Sequence, residues 1–280
     1  MAENQKKDKK LSIFRGNWFL TAGTIITAVM VLLTIAGQFW TPCDPTAMDA
    51  AAKSMGPSFR HLMGTDAFGR DIFSRVMAGA GTTLFIAFFV VLIGAAGGIL
   101  IGSLTGYYGG VLDEILMRLC DSITAFPSVL LALIILAVLG PGRWNVIWVL
   151  AILFIPSFAR IVRTEFSRCK SQNYVAMAKL QGAGSVRIIV RQILPNAYPV
   201  LLPAVSIGFN NAVLAEASMS FLGVGASVSD ISLGRMLYDA QNYILRGAPW
   251  YALFVGMTIV LLILGFSLLG EGLQKTERRN

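Results

Sequence analysis

The sequence predicts an all-α membrane protein with six transmembrane helices, and three observations carry that prediction. Apolar residues make up 55% of the 280 and charged residues only 14%, against roughly 25% charged in a soluble domain. The apolar residues gather in long runs, and the chain has room for about six spans of ~20 residues with their loops. The net charge of +8 sits between the runs and at the two ends, as the positive-inside rule expects of a membrane protein. That placement excludes the nucleic-acid partner which a basic chain would otherwise suggest.

Residues 1–16 form a basic tail, with five Lys or Arg against Glu3 and Asp8, expected in the cytoplasm. Residues 17–40 are the first span: Trp18 to Phe39 carries no charge, and Trp40 marks an interface. A signal peptide has the same order of basic and apolar parts, but a shorter apolar core and a small-residue cleavage site. This run ends in Gln-Phe-Trp-Thr-Pro, so an uncleaved span is expected.

Residues 41–78 are polar and rich in turn formers, and alternation of spans places them outside. Asp66, Arg70, Asp71 and Arg75 stand at spacings of four, which predicts ion pairs on successive helical turns. His61 with Asp66 offers too few ligands for a metal ion. Cys43, Cys120 and Cys169 have neither disulfide nor metal spacing.

The second span, Gly79 to Tyr108, is rich in Gly and Ala, which lets helix backbones approach closely in lipid. A short loop with Asp113, Glu114 and Arg118 leads to the third span, Ser122 to Leu139. The outer turn Gly140-Pro-Gly-Arg143 precedes the fourth span, Trp144 to Ala159. Residues 160–195 carry seven Lys or Arg and one acid, Glu165, and belong in the cytoplasm. The fifth span, Asn196 to about Leu222, contains Pro199 and Pro203, which predict a kinked entry. Asp230 to Pro249 returns to the outside. The last span, Tyr251 to Leu269, leads into a cytoplasmic tail, residues 271–280, with Lys275, Arg278 and Arg279. Cytoplasmic segments then hold 16 Lys or Arg and outer segments 7, which fits six spans with both termini in the cytoplasm.

Within the basic loop, Tyr174 to Pro195 has no acidic residue. Gly182-Ala183-Gly184 can break the backbone, Ser185 offers a helix N-cap, and Pro195 is placed to stop the helix. Two short helices about a glycine bend are expected. An amphipathic helix resting on a membrane surface would have a similar composition.

This stretch resembles the cytoplasmic coupling loop of ABC importer permeases, whose pattern is Glu-Ala-Ala, three residues, Gly, nine residues, then Ile-x-Leu-Pro. Ala178, Gly182, Leu194 and Pro195 match it, while Ala176, Met177 and Gln192 stand where the family has Glu, Ala and Ile. His61-Leu-Met-Gly-Thr-Asp-Ala-Phe-Gly-Arg-Asp-Ile-Phe-Ser-Arg75 is similar to a segment of the C-type permeases of dipeptide, oligopeptide and nickel importers. Glu216-Ala-Ser-Met-Ser-Phe-Leu-Gly-Val-Gly225, Gly234-Arg-Met-Leu and Ala248-Pro-Trp250 resemble the same permeases.

The resemblance implies the type I importer permease fold, with residues 79–270 as the permease domain and 160–195 as its coupling loop. It implies a multi-pass protein of a prokaryotic cell membrane, paired with a B-type permease. Two ATPase subunits would bind ATP and magnesium, and an extracytoplasmic substrate-binding protein would deliver dipeptides, oligopeptides, nickel or a metal chelate. ATPase coupling would fall to Ala176, Met177, Ala178, Gly182, Arg187, Arg191, Leu194 and Pro195. Binding-protein docking or outer gating would fall to Asp66, Arg70, Asp71, Arg75, Gly234 and Arg235.

The chain has no Gly-x-x-x-x-Gly-Lys-Ser/Thr, His-Glu-x-x-His or Gly-x-Ser-x-Gly. No catalytic residue, metal site or cofactor of its own is therefore expected. Glu216 is the one clear ionisable group in a span. It is either a proton carrier, as an ion-coupled secondary transporter would need, or a buried hydrogen-bonding partner for a neighbouring helix. A membrane scaffold without transport would give no reason for the glycine-rich spans.

Overall fold

The computed structural model describes residues 17–227, 230–244 and 248–277. The basic tail 1–16 and the pair Arg278 and Arg279 lie outside the described residues, so their expected cytoplasmic placement stays an expectation. Among the described residues the architecture is helical, with one isolated bridge between Thr65 and Asp71.

Five helical runs are long and apolar enough to cross a membrane. They are α1 (Trp18–Phe39), α2 (Ile72–Tyr108), α5 (Arg143–Lys170), the run Ser185–Phe221 and α10 (Trp250–Glu277). A sixth crossing would be the bent pair α3 (Gly110–Thr124) and α4 (Ser128–Leu139), which meet at an angle of 81°. The sequence predicts instead a short loop with Asp113, Glu114 and Arg118 before a span from about Ser122. Pro127 explains the difference, since it has no N–H to donate and disfavours helical backbone at Phe126.

Helix α2 lies along α5, and glycines allow the close approach. Gly98, Gly102 and Gly106 recur every four residues on one face of α2. A Cβ at Gly102 would stand 2.5 Å from the carbonyl oxygen of Ala159, and one at Gly106 would stand 2.6 Å from that of Arg163. Above this seam, Ile86, Val90, Ile147, Leu150, Val213 and Met219 form the main buried cluster. Helices α1 and α10 pack similarly, and the Asn17 side-chain amide donates to the Gly272 carbonyl at 2.7 Å.

Two spans are longer than their apolar runs. Helix α2 begins at Ile72 rather than Gly79, because Asp71 caps it: its Oδ2 accepts from the Ser74 amide at 2.8 Å. Helix α5 runs on past Ala159 to Lys170 because its arginines are neutralised from α3. Arg163 forks onto both oxygens of Asp113 at 2.6 Å, and Arg160 reaches Asp121 at 2.8 Å.

Candidate functional site

After α5 the chain forms α6 (Asn173–Leu180), α7 (Ser185–Ile188), a π turn at Ile189–Ile193 and α8 (Leu194–Phe221). The expected bend between two short helices is present, and its geometry is specific. Gly182 has φ +78°, its N–H donates to the Lys179 carbonyl at 2.9 Å, and that of Ala183 donates to Ala178 at 3.0 Å. These two bonds make a Schellman motif, which requires a left-handed residue at the position of Gly182.

Two expectations about this element were wrong. Ser185 is not the N-cap: the Gly184 carbonyl accepts the first helical bond, from Ile188 at 3.1 Å, which puts Ser185 inside the turn. Pro195 does not stop the helix either. The backbone widens into the π turn, where the Leu194 N–H reaches back to the Ile189 carbonyl, and α8 continues through Pro199 and Pro203. A proline that offers no N–H is thus carried within a continuous run.

The two short helices have distinct faces. Val175, Ala178, Ile188 and Ile193 are buried in a cluster with Val162 and Phe166 of α5. Ala176, Met177, Gly182, Arg187, Arg191 and Pro195 are exposed, and Leu194 is half-buried. Leu180 and Val186, which sequence reasoning missed, are 84% and 73% exposed, and Val190 is exposed beside them. The signal for the last pair was present: Val186 and Val190 are four residues apart, like Arg187 and Arg191. Among the described residues neither arginine has an acidic partner, and both border a cavity of about 550 Å³. Beneath, buried Glu165 takes Arg168 Nε at 3.0 Å, and burial pushes the Tyr174 phenol up to about 12.

At the opposite end the charged motif of the loop 41–78 folds differently from the expected row of helical pairs. Residues 64–71 form a turn in which Gly69 has φ +76°, so only Asp66 and Arg70 pair at the expected spacing, at 2.6 Å. Asp66 Oδ1 also accepts from the Phe68 and Arg70 amides, at 2.9 and 3.0 Å. Asp71 is committed as the cap of α2 and accepts from the Ser74 hydroxyl at 2.7 Å, with His61 Nδ1 at 2.9 Å. Arg75 therefore faces Asp66, at 4.0 Å, instead of Asp71. Cys43, His61 and Asp71 converge to within 4.8 Å, which their sequence spacing did not suggest. Both Asp71 oxygens are already engaged.

Gly234, in the first turn of α9 (Leu233–Ile244), lies against α8, where a Cβ would stand 2.5 Å from the Ala217 carbonyl oxygen. Arg235 and Asp239 pair loosely at 3.5 Å on its next turn, and burial raises the Asp239 carboxyl, opposed mainly by Arg235. Glu216 is wholly buried. Its Oε1 accepts from Ser220 at 2.7 Å, and Thr83 of α2 and Ser232 ahead of α9 face the same carboxyl.

Between α4, α5 and α8 lies a cavity of about 590 Å³ without a charged residue in its wall. Its polar groups are Thr124, Ser128, Ser157, Asn211 and Ser218, set among Phe126, Phe154 and Leu214. Single polar residues inside apolar runs carry no periodic signal, and sequence reasoning did not find them. Glu216 is not in this wall.

A model of the family described as binding-protein-dependent transport system inner membrane component matches residues 98–279. The chain belongs to that family. As an inner membrane component it is a multi-pass transport subunit, and relatives match it over almost its whole length. The dipeptide transport system permease protein DppC of Alkalihalophilus pseudofirmus is 37% identical, covering 98% of this chain and 87% of its own. The DppC of Haemophilus influenzae is 35% identical, over 93% and 90%. The glutathione transport system permease protein GsiD of Pectobacterium atrosepticum is 38% identical, over 89% and 84%. The inner membrane component also shares its fold with the MetNI methionine ABC transporter in an inward-facing form. That match has a TM-score of 0.60 and 21% identity, over 72% of this chain and 96% of the other.

Proposed function

We propose that this inner membrane component carries short peptides through the cell membrane of a prokaryote as one of two unlike permease chains. ATP and magnesium are held by two separate ATPase subunits, and an extracytoplasmic binding protein delivers the cargo. Both termini lie in the cytoplasm. The observation that carries this reading is the solvent-exposed face of the Tyr174–Pro195 element. It presents Met177, Leu180, Val186 and Val190 with Arg187 and Arg191, and a chain without an ATP site needs such a face to receive work from a partner.

The uncharged cavity supports peptides as cargo. Its hydroxyl and amide groups can exchange hydrogen bonds with peptide groups, and it has no fixed charge to trap an ammonium or a carboxylate. The dipeptide and glutathione relatives agree with that class. Glu216 lies outside the cavity wall and accepts from Ser220 of its own helix.

The test is purification in mild detergent followed by reconstitution with the binding protein. ATPase subunits should co-purify, and binding protein loaded with a di- or tripeptide should stimulate ATP hydrolysis and uptake. Uptake that follows the proton gradient without ATP would overturn the reading.

A further inference from the structure

The cluster of Cys43, His61 and Asp71 belongs neither to the uncharged cavity nor to the exposed face of the Tyr174–Pro195 element. Its members come from separate places in the chain. Cys43 follows α1, His61 lies in a bend of the loop 41–78, and Asp71 caps α2. One ligand atom of each nevertheless lies within 4.8 Å of the other two. A thiol, an imidazole and a carboxylate are the side-chain donors that zinc takes.

The spacing fits an ion. Two N or O ligands held ~2.0–2.1 Å from a tetrahedral ion stand roughly 3.3 Å apart. His61 Nδ1 and Asp71 Oδ1 are already 2.9 Å apart, so little movement admits one between them. The supporting contacts are in place as well. Ser74 Oγ accepts from the Cys43 amide at 3.0 Å and donates to Asp71 Oδ2 at 2.7 Å, so one hydroxyl fixes two of the three residues. The His61 amide donates to Ser58 Oγ at 3.1 Å, and its carbonyl accepts from the Ser58 and Gly64 amides. Outer contacts of this kind orient metal ligands. His61 and Asp71 are buried and Cys43 is half-buried, which leaves an entry past the thiol.

We propose that Cys43, His61 and Asp71 form a zinc site that ties the start of the loop 41–78 to the first turn of α2. The ion sits between Sγ, Nδ1 and Oδ1, with water as its fourth ligand. The thiol releases its proton to solvent, and the imidazole keeps its single proton on Nε2. Thiolate and carboxylate together then cancel the charge of the ion. Magnesium and calcium do not suit the site, because they take oxygen donors. None of the three residues lines the uncharged cavity, so the ion is a fixed part of the loop rather than cargo.

The experiment uses the full chain in its native complex, stripped with chelator and purified through a tag free of histidine, since His61 is the chain's one histidine. Titration with zinc against a chromophoric competitor should find one more tightly held ion per chain in wild type than in Cys43→Ala. Zinc should also raise the melting temperature of wild type and leave that of Cys43→Ala in place. Cobalt, as an optical probe, should give wild type a thiolate charge-transfer band that Cys43→Ala lacks. The joint change Cys120→Ala with Cys169→Ala should keep that band. Ser74→Ala, which removes only an outer contact, should bind zinc about 10- to 100-fold more weakly. Equal zinc content in wild type and Cys43→Ala overturns the proposal, as does a wild-type cobalt spectrum without the thiolate band. If Cys43→Ala melts early in chelator, His61→Gln replaces it in the comparison, with the same two outcomes. Neither readout depends on transport, so failure here leaves the permease reading untouched.

Discussion

The two ends of this molecule treat charge in opposite ways. At the end that carries the loop 41–78, Asp66 and Asp71 are buried; Asp66 accepts from Phe68 and Arg70 of its own loop, and Asp71 from Ser74 in the first turn of α2. At the opposite end, Arg187 and Arg191 are exposed beside Val186 and Val190, and among the described residues neither has an acidic partner. Buried charges hold a shape, because breaking the set strands a guanidinium without water. Exposed basic and apolar groups on a well-anchored turn hold no shape of their own. They wait for a surface that completes them.

The comparison can be broken most forcefully at Asp66. Asp66→Ala leaves Arg70 and Arg75 without their carboxylate and should cost about 3–5 kcal/mol of stability, read as a large fall in the melting temperature in detergent. A melting temperature close to wild type would mean that the outer motif does not hold the loop. Gly182→Val tests the other end. A branched side chain at φ +78° costs roughly 1–2 kcal/mol, confined to the bend, so ATP-driven uptake should fall while membrane insertion stays normal. Preserved uptake would remove the element from the coupling path. The double change Arg187→Glu with Arg191→Glu should reduce co-purified ATPase by about tenfold. It should shift the stability of the chain itself by no more than about 0.5 kcal/mol. Normal ATPase recovery would place the contact elsewhere. The smallest effect is expected for Glu216→Gln, which keeps an oxygen to accept from Ser220. It should change stability by about 1 kcal/mol or less and leave the pH profile of uptake in place. A shifted profile would make Glu216 a proton carrier.

Sequence reading found what a short stretch of chain decides by itself. Charge-free runs long enough for lipid mark the spans, and a glycine followed by a helix-forming run marks the bend at Gly182. It failed where a distant segment decides. Nothing near Arg160 and Arg163 shows that Asp121 and Asp113 neutralise them and let α5 run on. The spacing of Asp66, Arg70, Asp71 and Arg75 looks helical only if residues 66–70 are helical, and Gly69 turns them instead. Ser185 was one residue away from the cap, because the Gly184 carbonyl accepts the first helical bond. The polar wall of Thr124, Ser157, Asn211 and Ser218 comes from three separate helical segments and exists only once they pack.

The glycine seam between α2 and α5 has a mechanical meaning. With Gly102 and Gly106 set directly against carbonyls of α5, the seam has no slack in which one helix could slide past the other. A side chain at either glycine would force the two helices apart. The breaks in the helical course lie elsewhere, at the 81° elbow by Pro127 and the widened turn ahead of Pro195. Both breaks lie beside walls of the uncharged chamber or feed the helix that forms one.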